Sequence, residues 1–341
     1  MLFSGFFSKH SVLGVDIGTA NIKIAQISHE KGLILDTYGI VNLSYQLGVK
    51  EDEEAVRQTA NVLKALLSKA HVTTKRCAIS FPNSAVFTSV IELPKMSEND
   101  LATAVEFEAK KYVPLSISDV DLSWVVLSQD ASSLETQKIL LTAVPKQVTK
   151  NYMRVFELAG LEPEVGEIEA LALIRSLVGH NRLNCVIIDI GAKNTGLNII
   201  EKGFLRLSRN LNVGGETITN KIAESLRVSK ARAEQFKRDF GVSNSTFIPD
   251  TIKPVLSIIK NETKQLLTIS GSQGLKVEKI IVVGGGANMP GLVDFFADLG
   301  VPVELGDPLK TVGYSKDHEA ILKRYSRSLP IAIGLALRDK N

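Results

Sequence analysis

One short pattern occurs twice in this chain, and each copy joins a buried strand to a second, alternating strand through a glycine turn. The copies span 13–27 and 186–200, and their alignment places Asp16 on Asp189. Alternation and turn residues of this kind predict a β-hairpin in each copy, with a further strand after it at 33–41 and 203–209. Because the chain contains two copies of one unit, the sequence predicts two similar domains that face each other.

The size and composition of the chain limit the classes of protein it can represent. Its 341 residues suit roughly two domains, and its 44% hydrophobic residues supply ample core. It has no run of eighteen apolar residues, which argues against a membrane-spanning helix. A net charge of +3 spread along the chain and 6% aromatic residues do not suit a nucleic-acid-binding surface. Cys77 and Cys185 lie far apart and the histidines are isolated, so we expect neither disulfides nor a zinc site, and a cytoplasmic location.

The two glycine turns have the chemistry of an anion-binding site. Glycine lets the backbone approach a ligand closely, and successive amides can bind phosphate oxygens. Since an aspartate next to a phosphate needs an intervening cation, Asp16 and Asp189 facing across a cleft would hold hydrated Mg²⁺ against a nucleotide. Lys23 lies on the second strand of its hairpin and could reach the phosphates. A single Asp-x-Gly is usually only a hairpin turn, but two aligned copies favour binding.

A third glycine-rich turn, 284–286, follows an apolar strand at 279–283 and precedes a predicted helix. Backbone without side chains at such a junction can accommodate a flat ligand packed against it. The alternative is a Rossmann dinucleotide fingerprint, with Glu304 near the spacing of its ribose-binding acid. We disfavour this alternative because Met289 stands at the last glycine position and too little chain remains to complete a dinucleotide domain.

Together these turns resemble the nucleotide-binding superfamily of actin, Hsp70 and the sugar kinases, over nearly the whole chain. The resemblance implies an α/β, actin/Hsp70-like (ribonuclease H-like) duplicated fold that binds ATP and Mg²⁺. It implies that Asp16 and Asp189 flank the metal ion through water. It also implies contacts of the phosphates, ribose or adenosine with Gly18, Thr19, Ala20, Asn21, Lys23, Gly191, Ala192, Lys193, Asn194, Gly214, Gly215, Gly284, Gly285, Gly286 and Met289.

Two acidic positions depend more heavily on that resemblance. Glu234 and Lys237 lie one helical turn apart, and the superfamily uses such a pair to hold the ribose and base; an ordinary surface ion pair has the same spacing. Glu169 lies close to where the superfamily places the acid that positions water, with Glu167 as the alternative.

The region between the first copy and Glu169 predicts a strand–helix–strand–strand–helix unit, with strands at 88–93, 120–127 and 138–143 and helices at 97–112 and 146–158. An insertion here resembles the FtsA-like branch, in which subdomain 1C replaces subdomain 1B of actin. The glutamate-rich helix ending in Tyr-Val-Pro at 106–115, the strand at 120–124 and the ending at 331–338 resemble the PilM family of type IV pilus assembly.

The resemblance to the PilM family implies a cytoplasmic scaffold, peripheral to the inner membrane through its partner. That partner would be the N-terminal cytoplasmic peptide of PilN, bound near the 1A/1C junction in a complex with PilN, PilO and PilP and near the assembly ATPase. ATP would fix the angle between the domains, with hydrolysis slow or absent. Two alternatives stay open: an FtsA-like cell-division or filament-forming ATPase, and an active phosphotransferase of the same superfamily.

The resemblance also implies a division of the chain. Subdomain 1A would comprise 1–83 and 165–183, 1C 84–164, 2A 184–218 and 276–328, and 2B 219–275, with a C-terminal helix returning to 1A at 329–341. Leu2, Phe3, Phe6 and Phe7 could line one side of a short membrane-contacting helix. We favour packing on the protein's own domain, because so short a helix is marginal in water.

Overall fold

The computed structural model describes residues 3–4, 11–30, 32–44, 47, 52–128, 135–243 and 249–338. The strands are β1 Phe3–Ser4, β2 Ser11–Ile17, β3 Asn21–Ser28, β4 Ile34–Asn42, β5 Arg76–Phe81, β6 Phe87–Pro94, β7 Val120–Ser128, β8 Thr136–Pro145, β9 Glu162–Ile168, β10 Cys185–Ile190, β11 Thr195–Glu201, β12 Phe204–Leu211, β13 Lys279–Val283 and β14 Val303–Leu305. The helices are α1 Glu53–Lys69, α2 Glu98–Ala109, α3 Lys146–Ala159, α4 Glu169–Leu177, α5 Gly215–Leu226, α6 Lys230–Phe240, α7 Pro249–Ser272, α8 Leu292–Phe296, α9 Glu319–Tyr325 and α10 Pro330–Ala336.

Two large sheets repeat one topology. A six-stranded sheet has the order β1-β9-β5-β2-β3-β4, and a five-stranded sheet has the order β12-β11-β10-β13-β14. In each, a three-stranded antiparallel meander adjoins two parallel strands, so that β2, β3, β4, β5 and β9 correspond to β10, β11, β12, β13 and β14. An irregularity in strand pairing recurs as well. The register shifts between the second and third strands of each meander, at Gln26/Ile27 and at the aligned Ile199/Ile200. The repeat in the sequence is therefore a repeat in the structure.

The first lobe is the six-stranded sheet with its helices. Its central strands are apolar on both faces, and β2 is buried at every residue after the first, so helices must cover the sheet on both sides. Helices α1 and α3 share a core with one face of β2 and β5, whereas α4 and α10 cover the other face. The carboxylate of Asp52 accepts the Ala55 amide hydrogen at 2.9 Å, so α1 begins at Glu53.

The second lobe is the five-stranded sheet with α5, α6 and α7 on one face. Alternate residues of β10 enter a core with these helices, and its other residues join a second core around α4. That second core contains Ala78 and Val165 of the first lobe and Ile187 and Ile281 of the second. Shared apolar packing around α4 thus joins the two lobes. It lies behind the glycine turns of the two central hairpins.

The inserted unit is a small antiparallel sheet of order β6-β8-β7 with α2 against it. Its predicted strands are confirmed within two residues at either end. Ser97 caps the start of α2, but the helix ends at Ala109, before the predicted 112. Helix α3 packs with α1 on the first lobe. The inserted sheet also contacts the second lobe, since Leu127 and Leu140 share a core with Leu205. The subdomain boundaries themselves stay predictions.

The two ends of the chain both join the first lobe. Phe3–Ser4 forms a strand that pairs antiparallel with β9, so the helix considered for the N-terminus is wrong at these residues; Leu2, Phe6 and Phe7 lie outside the described residues. Helix α10 is buried along its whole length between β2 and α4, and Gly334 contacts the backbone of Ala172 so closely that a Cβ there would meet its carbonyl carbon at 2.5 Å. Within the described residues, no helix is long and apolar enough to cross a membrane.

Candidate functional site

The two aligned hairpin turns have the same geometry. The Gly18 amide donates to the Asn21 carbonyl at 2.9 Å, and the Gly191 amide donates to the Asn194 carbonyl at 2.9 Å. A Cβ on Gly191 would lie 2.9 Å from that Asn194 oxygen, which shows how tightly the turn closes. The two turns follow the carboxyl ends of β2 and β10, the central strands of the two lobes. Both turns therefore line the same cleft between the lobes.

The cleft lies between the lobes and contains most of the residues singled out in the sequence. Its free volume is ≈ 70 Å³, which is room for a few ordered water molecules. The sequence-predicted residues that line it are Asp16, Gly18, Thr19, Ala20, Asn21, Lys23, Glu169, Asp189, Gly191, Ala192, Asn194, Gly284 and Gly285. The structure also places there residues that no sequence pattern indicated, namely Pro82, Asn83, Ser84, Gly196, Asn210, Ser328, Pro330 and Ile331.

Asp16 and Lys23 form the charged centre of the first lobe's side of the cleft. They are opposite one another on β2 and β3, and the Lys23 ammonium donates to Asp16 Oδ2 at 2.8 Å. The other oxygen of this buried carboxylate accepts a hydrogen bond from the Ser80 hydroxyl at 3.2 Å. Burial by itself lowers the pKa of Lys23, but Asp16, Asp189 and Glu169 outweigh it, and the pKa is raised. Lys23 is therefore a permanent cation in this cleft.

The remaining carboxylates of the cleft are held in surroundings that favour their neutral forms. Burial raises the pKa of Asp189 to about 6, although Lys23 opposes the effect. Burial and the charges of Asp16 and Asp189 raise the pKa of Glu169 to about 8. Glu169 is the first residue of α4, and its Oε2 accepts the Asn83 amide hydrogen at 3.1 Å. At neutral pH the carboxyl of Glu169 is therefore mainly protonated.

The triple-glycine turn lies against the strand that ends in Asp189. Gly284 has φ 89° and ψ 172°, and a Cβ there would lie 2.7 Å from the Ile190 carbonyl carbon and closer still to the Asp189 carboxylate. A Cβ on Gly286 would meet Ile190 Cβ at 2.9 Å, whereas at Gly285 the nearest atom is the Ser328 hydroxyl at 4.0 Å. Two of the three glycines thus permit close packing on β10, and Gly285 leaves open space in the cleft.

Some sequence-predicted residues lie outside this cleft: Lys193, Gly214, Gly215, Glu234, Lys237, Gly286 and Met289. The Glu234–Lys237 pair does form, at 2.6 Å, and the ammonium also donates to the Gly215 carbonyl at 3.0 Å. The Gly215 amide in turn donates to the Gly191 carbonyl at 2.9 Å, so this group adjoins the second hairpin turn. The Met289 side chain is buried in the core of the second lobe.

Glu167, the alternative to Glu169, does not face the cleft. Its side chain is 2% exposed and forms ion pairs with Arg175 and, at 2.8 Å, with Arg338 beyond the end of α10. The Arg175 guanidinium also donates to the Gly334 carbonyl at 2.7 Å. This carboxylate therefore attaches the C-terminal segment to the first lobe, and the alternative is wrong.

The arrangement fits an anion accompanied by a cation. Two glycine turns, one permanent ammonium, the buried Asp16 and the partly buried Asp189 of the opposite lobe converge on one space, as a phosphate chain with Mg²⁺ requires. Among the described residues no group of three or more acidic, histidine or cysteine side chains is placed to hold a metal ion by itself. A cation here would thus take part of its coordination from its ligand.

Comparisons with known proteins agree with this geometry. The sequence profile of the family described as type IV pilus assembly protein PilM matches residues 14–340. The cell division protein FtsA of Streptococcus pneumoniae is 24% identical, over 90% of this chain and 77% of that protein.

Solved structures extend the likeness to the fold. A chain of the PilM–PilN type IV pilus biogenesis complex has a TM-score of 0.86 at 25% identity, covering 97% of this chain and 99% of its own. MreB5 of Spiroplasma citri bound to ADP has a TM-score of 0.53 at 16% identity, covering 95% and 94%, which shows the fold alone. The predicted actin-like fold class is confirmed by these neighbours.

Proposed function

The chain belongs to the type IV pilus assembly protein PilM family, and from this membership we propose that it is an actin-like scaffold that binds the N-terminal cytoplasmic segment of PilN. One observation carries the proposal: the likeness to the PilM–PilN complex chain extends over 97% of this chain, inserted unit included. A similarity restricted to the nucleotide-binding lobes would indicate only the superfamily.

The cleft would bind ATP with Mg²⁺. Asp16 and Asp189, from opposite lobes, would hold the hydrated ion, and Lys23 would neutralise phosphate charge. The two glycine turns would supply amides for the phosphates, and the group around Lys237, which adjoins the second turn, would approach the ribose. Bound Mg²⁺ would supply the positive charge that lets two aspartates and a phosphate chain share one space. Support comes from the two aspartates that line the cleft from opposite lobes, and from the fold shared with an ADP-bound protein.

Hydrolysis would be slow or absent, because the cleft lacks an effective base. Glu169 is the acid in the position the superfamily uses to orient water. Without nucleotide, burial and the charges of Asp16 and Asp189 raise its pKa to about 8, and a protonated carboxyl cannot accept a proton from water. Bound Mg²⁺ would offset the two aspartate charges but not the burial.

Nucleotide would act on the partner site through the angle between the lobes. A ligand that contacts both lobes stabilises the conformation in which both sets of contacts form. The inserted sheet contacts the second lobe, because its Leu127 and Leu140 share a core with Leu205, and its Lys138 lies 3.4 Å from Glu201. The same core includes Ala78 and Val165 of the first lobe. A change of the angle would therefore move the inserted unit relative to the first lobe, where we place the PilN segment.

The scaffold would act at the inner membrane without entering it. Attachment through PilN would place it beside PilO, PilP and the pilus assembly ATPase. An extended peptide in a groove between the first lobe and the inserted unit is a common mode of recognition.

Calorimetric titration tests these proposals together. A synthetic PilN N-terminal peptide is titrated into the purified protein with and without ATP·Mg²⁺, with a scrambled peptide of the same composition as control. We expect binding of the native peptide, with an affinity that changes with ATP. The Asp189→Asn variant should bind the peptide but lose the response to ATP. ATP-dependent filaments without peptide binding would instead support an FtsA-like function.

A further inference from the structure

Exposed apolar side chains cluster where α9 packs on the edge of the first lobe. Ile321 is 58% exposed, and Tyr325, one helical turn later, is 43% exposed. Leu322 is buried in the core of the first lobe, so it holds the helix with Ile321 and Tyr325 directed toward solvent. Leu33 and Ile34, where the edge strand β4 begins, are exposed to a similar degree.

Backbone pairing brings these two groups of side chains together. The Gly313 amide donates to the Leu33 carbonyl at 2.7 Å, so the segment that leads into α9 runs beside the start of β4. Burial raises the pKa of Tyr38 on β4, and the nearby Tyr325 raises it further. The exposed residues therefore form one surface, the α9 surface, which comprises Leu33, Ile34, Ile321 and Tyr325. It lies at the edge of the six-stranded sheet opposite β1.

The segment that carries most of this surface is basic. Residues 310–327 contain five basic side chains and two acidic ones, a net charge of +3 that equals the net charge of the whole chain. The rest of the chain is thus neutral overall. Lys323 pairs with Glu319 at 2.5 Å, but Lys316 and Arg324 are exposed and form no ion pair within the described residues. The Arg324 guanidinium lies 5.8 Å from the centre of the Tyr325 ring, so positive charge borders the apolar side chains.

We propose that the α9 surface contacts the headgroup layer of a membrane that contains anionic phospholipids. Aliphatic and tyrosine side chains beside lysine and arginine have the composition of protein surfaces that lie in the plane of the membrane interface. The basic side chains match the charge of anionic headgroups. The tyrosine suits the boundary between headgroups and acyl chains, because its ring is apolar and its hydroxyl is polar.

This contact would be weak by itself and effective beside a second attachment. One short apolar patch with a few basic residues gives only marginal, reversible membrane binding. When another part of the protein is already held at the membrane, the same contact becomes intramolecular and its effective concentration rises. The inference goes beyond the proposed function, in which PilN alone attaches the protein. PilN would set where the scaffold lies, and the α9 surface would set which of its faces turns toward the bilayer.

Flotation with lipid vesicles tests the inference on the full chain. One set of vesicles is phosphatidylcholine alone, and the other is an equal mixture of phosphatidylcholine and phosphatidylglycerol. We expect binding to the mixed vesicles only, and a loss of binding as the salt concentration rises, because salt screens the attraction of exposed charges.

Two variants at exposed positions remove the charge and the apolar contact separately. Lys316→Glu/Arg324→Glu should weaken binding about tenfold or more, since each basic side chain near an anionic surface contributes about fivefold. Its control is Lys95→Glu/Lys230→Glu, which changes the net charge equally at two other exposed positions. Ile321→Ser should weaken binding about fivefold through lost apolar burial. Its control is Ile258→Ser, at a half-exposed isoleucine of α7. Both controls should bind the mixed vesicles like the unaltered protein.

A dye attached at position 321 identifies what covers the surface. Both native cysteines are buried, so Ile321→Cys supplies an accessible thiol for an environment-sensitive dye. We expect its emission to shift to shorter wavelength on mixed vesicles, as the dye enters an apolar environment. The same dye at Ile258→Cys should not respond.

Four results would overturn the inference. Equal binding to both kinds of vesicle, or none at millimolar lipid, would show that no anionic membrane is recognised. Equal losses in the variants and their controls would show a general effect of charge or hydrophobicity. A dye at position 321 that does not respond on bound vesicles would place the contact elsewhere. Self-association that only the α9 variants abolish, without vesicle binding, would assign the surface to a second copy of the chain.

Titration with the PilN peptide separates this inference from the proposed function. If vesicle binding fails while the peptide still binds, only the membrane contact is wrong. If the peptide does not bind while the mixed vesicles do, only the proposed function is wrong.

Discussion

Adjacent glycines of the triple-glycine turn should respond very differently to the same substitution. Gly284→Ala places a Cβ against the Ile190 carbonyl and the Asp189 carboxylate, at φ 89° and ψ 172°. This backbone region is almost restricted to glycine and costs an alanine about 1–3 kcal/mol. Forcing a methyl group into packed backbone adds about 1–3 kcal/mol. We therefore expect a loss of about 4 kcal/mol, which lowers the thermal midpoint by about 6 °C in a chain of this length.

Gly285→Ala is the matched control, because its Cβ would find no atom nearer than 4.0 Å. It should leave the thermal midpoint within about 1 °C of the unaltered protein, as surface substitutions usually do. Since Gly285 lines the cleft, it should nevertheless weaken binding of ATP·Mg²⁺. Thermal unfolding followed by circular dichroism and calorimetric titration measure the two effects. Equal thermal midpoints for the two variants would refute the reasoning, because the predicted difference depends on the backbone angles of Gly284 and on its close contact with β10.

Four further substitutions test other parts of the structure. The pKa of Glu169 is about 8 in the folded protein and about 4.5 in an exposed glutamate, so the folded state holds this proton more tightly than the unfolded state and loses stability as the pH rises from 4.5 to 8. Glu169→Gln should therefore raise the thermal midpoint at pH 9 and change it little near pH 4.5. Arg338→Met leaves the buried Glu167 with one guanidinium and should cost about 2–3 kcal/mol, seen as faster amide exchange in α10. Lys23→Met should weaken ATP binding about tenfold and leave PilN peptide affinity without nucleotide unchanged, since it removes a cleft cation only. Leu205→Ala should cost about 3 kcal/mol and reduce the effect of ATP on peptide affinity, because it removes an apolar side chain through which the second lobe contacts the inserted unit.

The hairpins and their turns were predictable because their signals are local. Alternating apolar residues, a glycine after an aspartate and a second copy of both indicate strand, turn and duplication without any tertiary information. The inserted unit was predictable in the same way, strand by strand. The end of α2 was less so, because the residues up to Tyr112 suit a helix and only the turn beginning at Lys110 stops it earlier.

The polar residues that complete the cleft have no such signal. Ser80 and Asn83 belong to no motif, and they reach Asp16 and Glu169 only because segments distant in sequence are adjacent in the folded lobe. The contact of the inserted sheet with the second lobe is likewise a product of packing.

Glu167 and Glu169 show most clearly what the sequence determines and what only the tertiary structure decides. The sequence alone determined the duplicated fold, the two aspartates and an acid in this short segment. It could not choose between two glutamates a residue apart, because both suit the spacing. The tertiary structure decided: β9 directs Glu167 toward the buried arginines beside α10, whereas the chain turns into α4 at Glu169 and carries that carboxyl into the cleft. The direction of a side chain depends on where its strand ends and what packs there, and both are set by contacts between distant parts of the chain.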